Sequence, residues 1–236
     1  EALPDDEKKK LVQQIGLQAA NRLNEATPIN LTALLTLILL ANGPRARTLE
    51  GLTKTVQGWM ELVEHRNIPV VGSSSICTTE EVTKTLVALE EHGVVTHHDS
   101  VLGAVYRIDS GQYHKAAYYR NTVVHFFVTD AIIELSLLHA MDQVDSELAF
   151  WREALALRDL LKFEFYFPTR EDFLQEVREK LAERDPNWQE LLLEGDAKAR
   201  SLLGPSMPLV AQGVLRSFID AYQVVGDTLV QDRKST

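Results

Sequence analysis

Along most of the chain apolar residues recur at the three-to-four-residue spacing of helices, and the stretches that break this rhythm are short. Residues 5–24, DDEKKKLVQQIGLQAANRLN, open with acids and carry Leu11, Ile15, Leu17, Ala19 and Leu23, which predicts an amphipathic helix ended by Thr27-Pro28. The next run, INLTALLTLILLANGP, is apolar almost all round. With Asn30 as N-cap and Asn42-Gly43-Pro44 as stop, it predicts a fully buried helix. A third helix fits 48–66, with Thr48 as N-cap and Leu52, Val56, Trp59 and Val63 along one face, and NIPVVGSSS then reads as a loop. TTEEVTKTLVALEEHG at 78–93 has the elements of a capping box in Thr78 and Glu81, a stripe of Val82, Leu86 and Leu89, and Gly93 as C-terminal stop.

The rhythm then changes. VVTHH at 94–98 and AVYRID at 104–109 are extended in pattern, and the intervening DSVLG has the turn chemistry of a hairpin. Three helices followed by a hairpin make a winged-helix outline. Beyond it the pattern is helical again over about 111–140, 144–162, 169–184 with Thr169 as N-cap, and 206–230, with FEFYFP as a short extended link. The last of these carries Val210, Val214, Phe218 and Tyr222 on one stripe, widened by Leu209 and Ile219. The predicted fold is mostly α: a helical bundle with an embedded winged-helix-like unit of three helices plus a β-hairpin. The expected division is an N-terminal helix at 1–27, the winged-helix-like unit at 28–110 and a C-terminal helical bundle at 111–236.

Composition narrows the function classes. With 236 residues the chain can bury a core without staples, and the single cysteine, Cys77, cannot form an internal bridge, which points to a reducing compartment. A net charge of −10 opposes binding to nucleic acid, and the helix at 78–92 that would enter a DNA groove carries Glu80, Glu81, Glu90 and Glu91 against Lys84 alone. The longest strongly apolar runs, 31–41 and 123–128, fall short of the roughly 20 residues that span a bilayer, so membrane contact is expected to be peripheral. The beginning shows neither an initiator Met nor the apolar core of a signal peptide, and the chain reads as a piece of something longer.

Two stretches invite chemical readings. His92, His97, His98 and Asp99 suggest a metal, but His97 and His98 are adjacent on a predicted strand and point to opposite faces, so a solvated hairpin edge is expected and no metal or cofactor is assigned. YYRNTVVHFFVTD at 118–130 places His125 five residues before Asp130, an H-x4-D pair in which a histidine could take the proton of an attacking hydroxyl while the aspartate holds its tautomer. On a continuous helix, positions five apart point about 140° apart and cannot meet. NTVVHFFVTDAIIELSLLHA, at 121–140, has no Gly or Pro to turn the chain and reads as unbroken helix, so His125 is expected to be a hydrogen-bonded core histidine. Arg120 has two readings: a bidentate partner for a phosphate or carboxylate, flanked by Tyr118 and Tyr119, or an Arg-Asn helix entry whose hydrogen bonds fix neighbouring loops.

KAAYYRNTVVHFF at 115–127 resembles a segment in the C-terminal region of the bacterial membrane glycerol-3-phosphate acyltransferases, where a Tyr-Tyr-Arg-Asn run enters an apolar helix containing a histidine. AANRLNEATPINLTALLTLILLA at 19–41, TTEEVTKTLVALEEHGVV at 78–95 and LKFEFYF at 161–167 are similar to other segments of that region, in the same order over roughly 15–225. The resemblance implies part of an enzyme that transfers an acyl group from acyl-CoA or acyl carrier protein to the sn-1 hydroxyl of glycerol-3-phosphate. It also implies a peripheral place at the cytoplasmic face of the membrane. That family's catalytic pair lies in a His-Arg-Ser-x-x-Asp motif, which is absent here, so no catalytic residue is carried over. The expected role is accessory: docking on and supporting a catalytic domain of the same enzyme. Tyr118, Tyr119, Arg120, Asn121 and His125 are the candidates for contact with substrate or with that domain.

Overall fold

In the computed structural model, which describes residues 4–72, 77–101, 103–194, 196–203 and 210–234, the fold is mostly helical with one small antiparallel sheet. Helix α1 (Asp5–Ala26) stops at extended Thr27. Helix α2 (Leu31–Ala41) begins where the Asn30 side chain accepts from the Ala33 amide at 2.8 Å and ends before Gly43, whose φ of 62° only a residue without Cβ adopts freely. Its all-round apolar surface is explained by burial from Ala33 to Leu39. Within that run the Thr36 hydroxyl donates to the carbonyls of Thr32 and Ala33, so it adds no unsatisfied group.

Strand β1 (Arg47–Thr48) leads directly into α3 (Leu49–His65), whose N-cap, Thr48, accepts from Gly51. After α3, Asn67 takes a φ of 53°, a left-handed conformation that Asn tolerates better than most side chains, and turns the chain away from Arg66. Val71 then donates to Ile29, and Ile29 to Pro69, fastening this loop beside the start of α2. Residues 73–75 of the expected loop lie outside the described residues. Helix α4 (Thr79–Glu91) shows one arm of the expected capping box: Thr78 Oγ accepts from the Glu81 amide, while the Glu81 carboxylate reaches Lys84. The hairpin of β2 (Thr96–Ser100) and β3 (Gly103–Arg107) pairs down to Ser100–Gly103, a tighter turn than the five-residue DSVLG expected, and β1 adds to the far side of β3. Val94 and Val95, expected in the strand, are buried before it begins.

The largest departure from the sequence-based expectation is at 121–140. The helix is broken: α5 (Tyr113–Asn121) ends, a single 3-10 turn occupies Val124–Phe127, and α6 (Val128–Met141) starts afresh. Thr122, Val123 and Val124 are three consecutive β-branched residues, poor helix formers. The Thr122 hydroxyl donates to Tyr119, while burial of Val123, Val124 and Phe127 fixes the turn; Phe127 meets the edge of Trp59 on α3 at 4.7 Å between centroids. No Gly or Pro was needed.

Helix α7 (Ser146–Leu161) packs on α6, and α8 (Arg170–Arg184) starts where Thr169 accepts from Asp172. FEFYFP, expected to be extended, forms no strand. Two short helices that the pattern did not signal, α9 (Trp188–Leu193) and α10 (Asp196–Ala199), bury Trp188, Leu192 and Ala199. The C-terminal helix expected over 206–230 divides into α11 (Val210–Val214) and α12 (Arg216–Lys234); its first four residues, Leu209 among them, lie outside the described residues. α11 packs on both α2 and α6, so a single hydrophobic core runs from Ile29 to Leu215. By length and composition alone Val124–Met141 could cross a membrane, but here it is the centre of that core and carries a fully engaged carboxylate.

Candidate functional site

Asp130, in the first turn of α6, is 2% exposed and surrounded by cations from two other helices. Arg66, at the end of α3, donates from Nη1 and Nη2 to its two carboxylate oxygens at 2.6 and 2.8 Å. From α8, Lys180 Nζ reaches Oδ2 at 3.1 Å and Arg184 Nη2 reaches Oδ1 at 3.3 Å, while Glu183 stands 3.6 Å from Arg66. Burial pushes the Asp130 carboxyl up, but the Arg66 hydrogen bonds and the charges of Lys180, Arg66 and Arg184 outweigh it and hold the group well below the usual carboxylate range. Bound in this way the carboxylate has no lone pair to spare for an imidazole.

His125 sits elsewhere. Burial lowers its basicity, against the opposing influence of the Asn24 backbone at the end of α1 and of the nearby Glu25. It lines a cavity of about 260 Å³ together with Asn21, Glu25, Thr129, Glu164 and Glu176. Nε2 is buried and finds no partner among the described residues. The break after α5 removes the geometric reason given for keeping His125 and Asp130 apart, yet they remain apart: one faces α1, the other faces α3 and α8.

The Tyr-Tyr-Arg-Asn run forms the last turn of α5. Tyr118 is 74% exposed and stands edge-on to Tyr119, with 5.7 Å between ring centroids. Arg120 points inward and is 6% exposed. Its Nε and Nη2 donate to Asn121 Oδ1 at 3.1 and 2.9 Å, and its Nη1 to Ser217 Oγ on α12 at 3.0 Å. The guanidinium carbon also lies 5.6 Å from the Phe218 ring centroid. Arg120 therefore ties the end of α5 to α12, rather than a helix entry to neighbouring loops, and its hydrogen-bond partners among the described residues are neutral. It also lines a cleft of about 370 Å³ with Arg216, His114 and Tyr113. Of the sequence-predicted candidates Arg120 lines this cleft and Asn121 is its hydrogen-bond partner, Tyr118 and Tyr119 stand against each other outside the lining, and His125 belongs to another cavity.

On the hairpin, His97 Nδ1 lies 2.6 Å from Glu90 on α4, and His97 and His98 pair with successive residues of β3, as adjacent strand positions must. Among the described residues no group of three or more possible ligands is placed to hold a metal. Lys84, the one cation of α4, pairs with Glu80 at 2.9 Å within its own helix.

The whole chain, residues 1–236, matches the family described as glycerol-3-phosphate acyltransferase C-terminal region. The chain belongs to that family. It is 34% identical over 232 residues to the proteins named "Putative acyltransferase plsB1" of Mycobacterium tuberculosis and Mycobacterium bovis, covering 92% of this chain and 36% of theirs. A "Glycerol-3-phosphate acyltransferase" of Glaesserella parasuis is 28% identical over 130 residues, covering 54% of this chain and 16% of that protein. The chain thus spans about a third of the length of these Mycobacterium relatives. Sequence reasoning singled out Arg120 and its neighbours and did not point to Arg66, Lys180, Arg184 or Ser217. A signal for two of them existed: Lys180 and Arg184 lie within the same two turns of α8 as buried Val177 and Leu181.

Proposed function

We propose that this chain is the accessory C-terminal region of a glycerol-3-phosphate 1-O-acyltransferase, docking on and supporting the domain that carries out acyl transfer. The acyl donor is acyl-CoA or acyl carrier protein, the acceptor the sn-1 hydroxyl of glycerol-3-phosphate, and the place of action the cytoplasmic face of the membrane, reached peripherally. In this reading 1–27, 28–110 and 111–236 act as a docking helix, a winged-helix-like unit and a bundle. The observation that carries it is α1. This helix of 22 residues leaves Leu11, Val12, Ile15, Leu17 and Leu23 between 44% and 71% exposed, and it meets the rest of the described fold at its last turns. Leu11, Val12, Ile15 and Leu23 fall on one side of this projecting helix, and an uncovered apolar stripe of that kind suits an interface.

The residues present support an accessory role over a catalytic one, because His125 and Asp130, the H-x4-D pair, face different elements. The test is release of CoA from a long-chain acyl-CoA, dependent on glycerol-3-phosphate, by the chain alone and by the chain with His125→Ala. Silence of the chain supports the accessory reading. Turnover that disappears in His125→Ala would place the chemistry here and defeat it.

A further inference from the structure

Two helices leave the body of the fold with uncovered apolar stripes, and both depart from residues 163–168, which link α7 to α8. On one side of this link Phe165 meets Phe218 of α12 at 4.9 Å between ring centroids, and the Tyr222 hydroxyl donates to Glu164 at 3.2 Å. On the other side Glu164 to Pro168 border the cavity that Asn21, Asn24 and Glu25 of α1 also line. Along α12 the positions Phe218, Tyr222, Val225 and Leu229 fall on one face. The first two pack against the core, whereas Val225 and Leu229 are 57% and 61% exposed, so the core-facing stripe runs on beyond the core.

Each stripe also holds a glycine in the interior of its helix. In α1 one line runs through Val12, Gly16, Ala19 and Leu23; in α12 Gly226 stands between Tyr222 and Leu229. Glycine at such a position costs a helix a factor of about five in its folding equilibrium relative to alanine. Nothing within this fold offsets that cost, because among the described residues a Cβ on Gly16 or Gly226 would meet no atom within 4 Å. Gly213 shows what can: a Cβ there would come 3.0 Å from the Ala41 Cβ, since α11 lies close on α2. Gly16 and Gly226 are the same device with the second helix missing.

We propose that α1 and the distal half of α12 are two arms of one docking face, and that both are covered by a helical surface of the catalytic domain of the same polypeptide, packed close against the backbone at Gly16 and Gly226. The inference rests on the accessory reading above and extends it to α12. The matched region is 36% of the length of the Mycobacterium relatives, so an enzyme of that size has the larger part of its chain available to cover the two arms. The facing surface carries large apolar side chains, which fill the space a Cβ would otherwise take. Its rim is acidic beside α1, where exposed Lys9 and Arg22 border the stripe. Exposed Asp220 and Asp227 on α12 oppose an anionic lipid surface as the cover of that arm.

The test is amide hydrogen exchange over residues 8–20 and 223–231, in the 236-residue chain alone and in a complete acyltransferase carrying this region. Both stretches should exchange readily in the chain alone and roughly tenfold more slowly in the complete enzyme. Gly16→Leu and Gly226→Leu should slow exchange of their own helices severalfold in the chain alone, because leucine favours the helix, and speed it in the complete enzyme, because the new side chain pushes the partner away. Slower exchange in both settings would mean that the glycines have no packing role and would overturn the proposal. Protection of 8–20 without 223–231 in the complete enzyme would remove α12 from the docking face and leave the accessory reading in place, since that reading is decided separately by CoA release. Protection that rises with the concentration of the chain alone would assign the stripes to a second copy, and protection that appears only with phosphatidylglycerol vesicles would assign them to lipid; either result overturns the proposal.

Discussion

Asp130 shows how little the name of a residue says about its task. In the sequence it completes an H-x4-D spacing; in the fold it is a carboxylate held by Arg66, Lys180 and Arg184. Replacing it with Asn leaves three cations close together with nothing to offset them, and the expected loss of stability is about 3–5 kcal/mol, measured by urea denaturation at neutral pH. A loss under about 1 kcal/mol would mean that the cluster behaves as a solvated surface pair. The sign of the pH dependence follows from the depressed folded-state value. The stabilisation is present above the unfolded carboxyl's value of about 4 and is lost progressively as pH falls below it toward the folded value, a slope that Asp130→Asn should remove. His125 acts in a milder range. Its folded-state value is lowered by burial, so the neutral ring stabilises above the unfolded value of about 6.5 and that contribution is lost as pH falls through the folded value. His125→Gln should therefore flatten the difference in melting temperature between pH 7 and pH 5 relative to the parent chain.

Caps and periodicity made most individual helices legible. Asn30, Thr48, Thr78 and Thr169 each accept from the amide three residues on, as N-caps do, and Gly43 and Gly93 take the positive φ values of helix ends. The break at 122–127 was not legible, because apolar spacing continues through it and what decides the turn is where Val123, Val124 and Phe127 are buried. Packing between elements adds a demand that no local pattern reveals. A Cβ on Gly213 of α11 would come 3.0 Å from the Ala41 Cβ and 3.5 Å from Leu37 Cδ1, so the absence of a side chain lets α11 lie close on α2. Gly213→Val should force these helices apart and cost about 1–3 kcal/mol in thermal or chemical denaturation, whereas a stability equal to the parent's would show that α11 shifts freely.

Across the molecule, one core joins α2, α3 and α4 to the helices that follow the hairpin, while α1 and the second half of α12 project from it with apolar residues uncovered. Ile15→Glu combined with Leu23→Glu on α1 should leave the isolated chain's stability within about 0.5 kcal/mol, as surface changes usually do. In a complete acyltransferase carrying this region the same pair should lower activity severalfold, and an unchanged rate there would remove α1 from the docking surface. Amphipathic spacing, cap residues and the Tyr-Tyr-Arg-Asn run sufficed for the mostly helical class, the hairpin and the family, because these depend on contacts within a few residues of chain. Long-range placement was beyond them. Arg66 and Asp130 are 64 positions apart, and Arg120 and Ser217 are 97 apart. Whether a charge ends with an acid or with neutral neighbours is settled only when the helices pack, since burial and pairing arise together in the folded core.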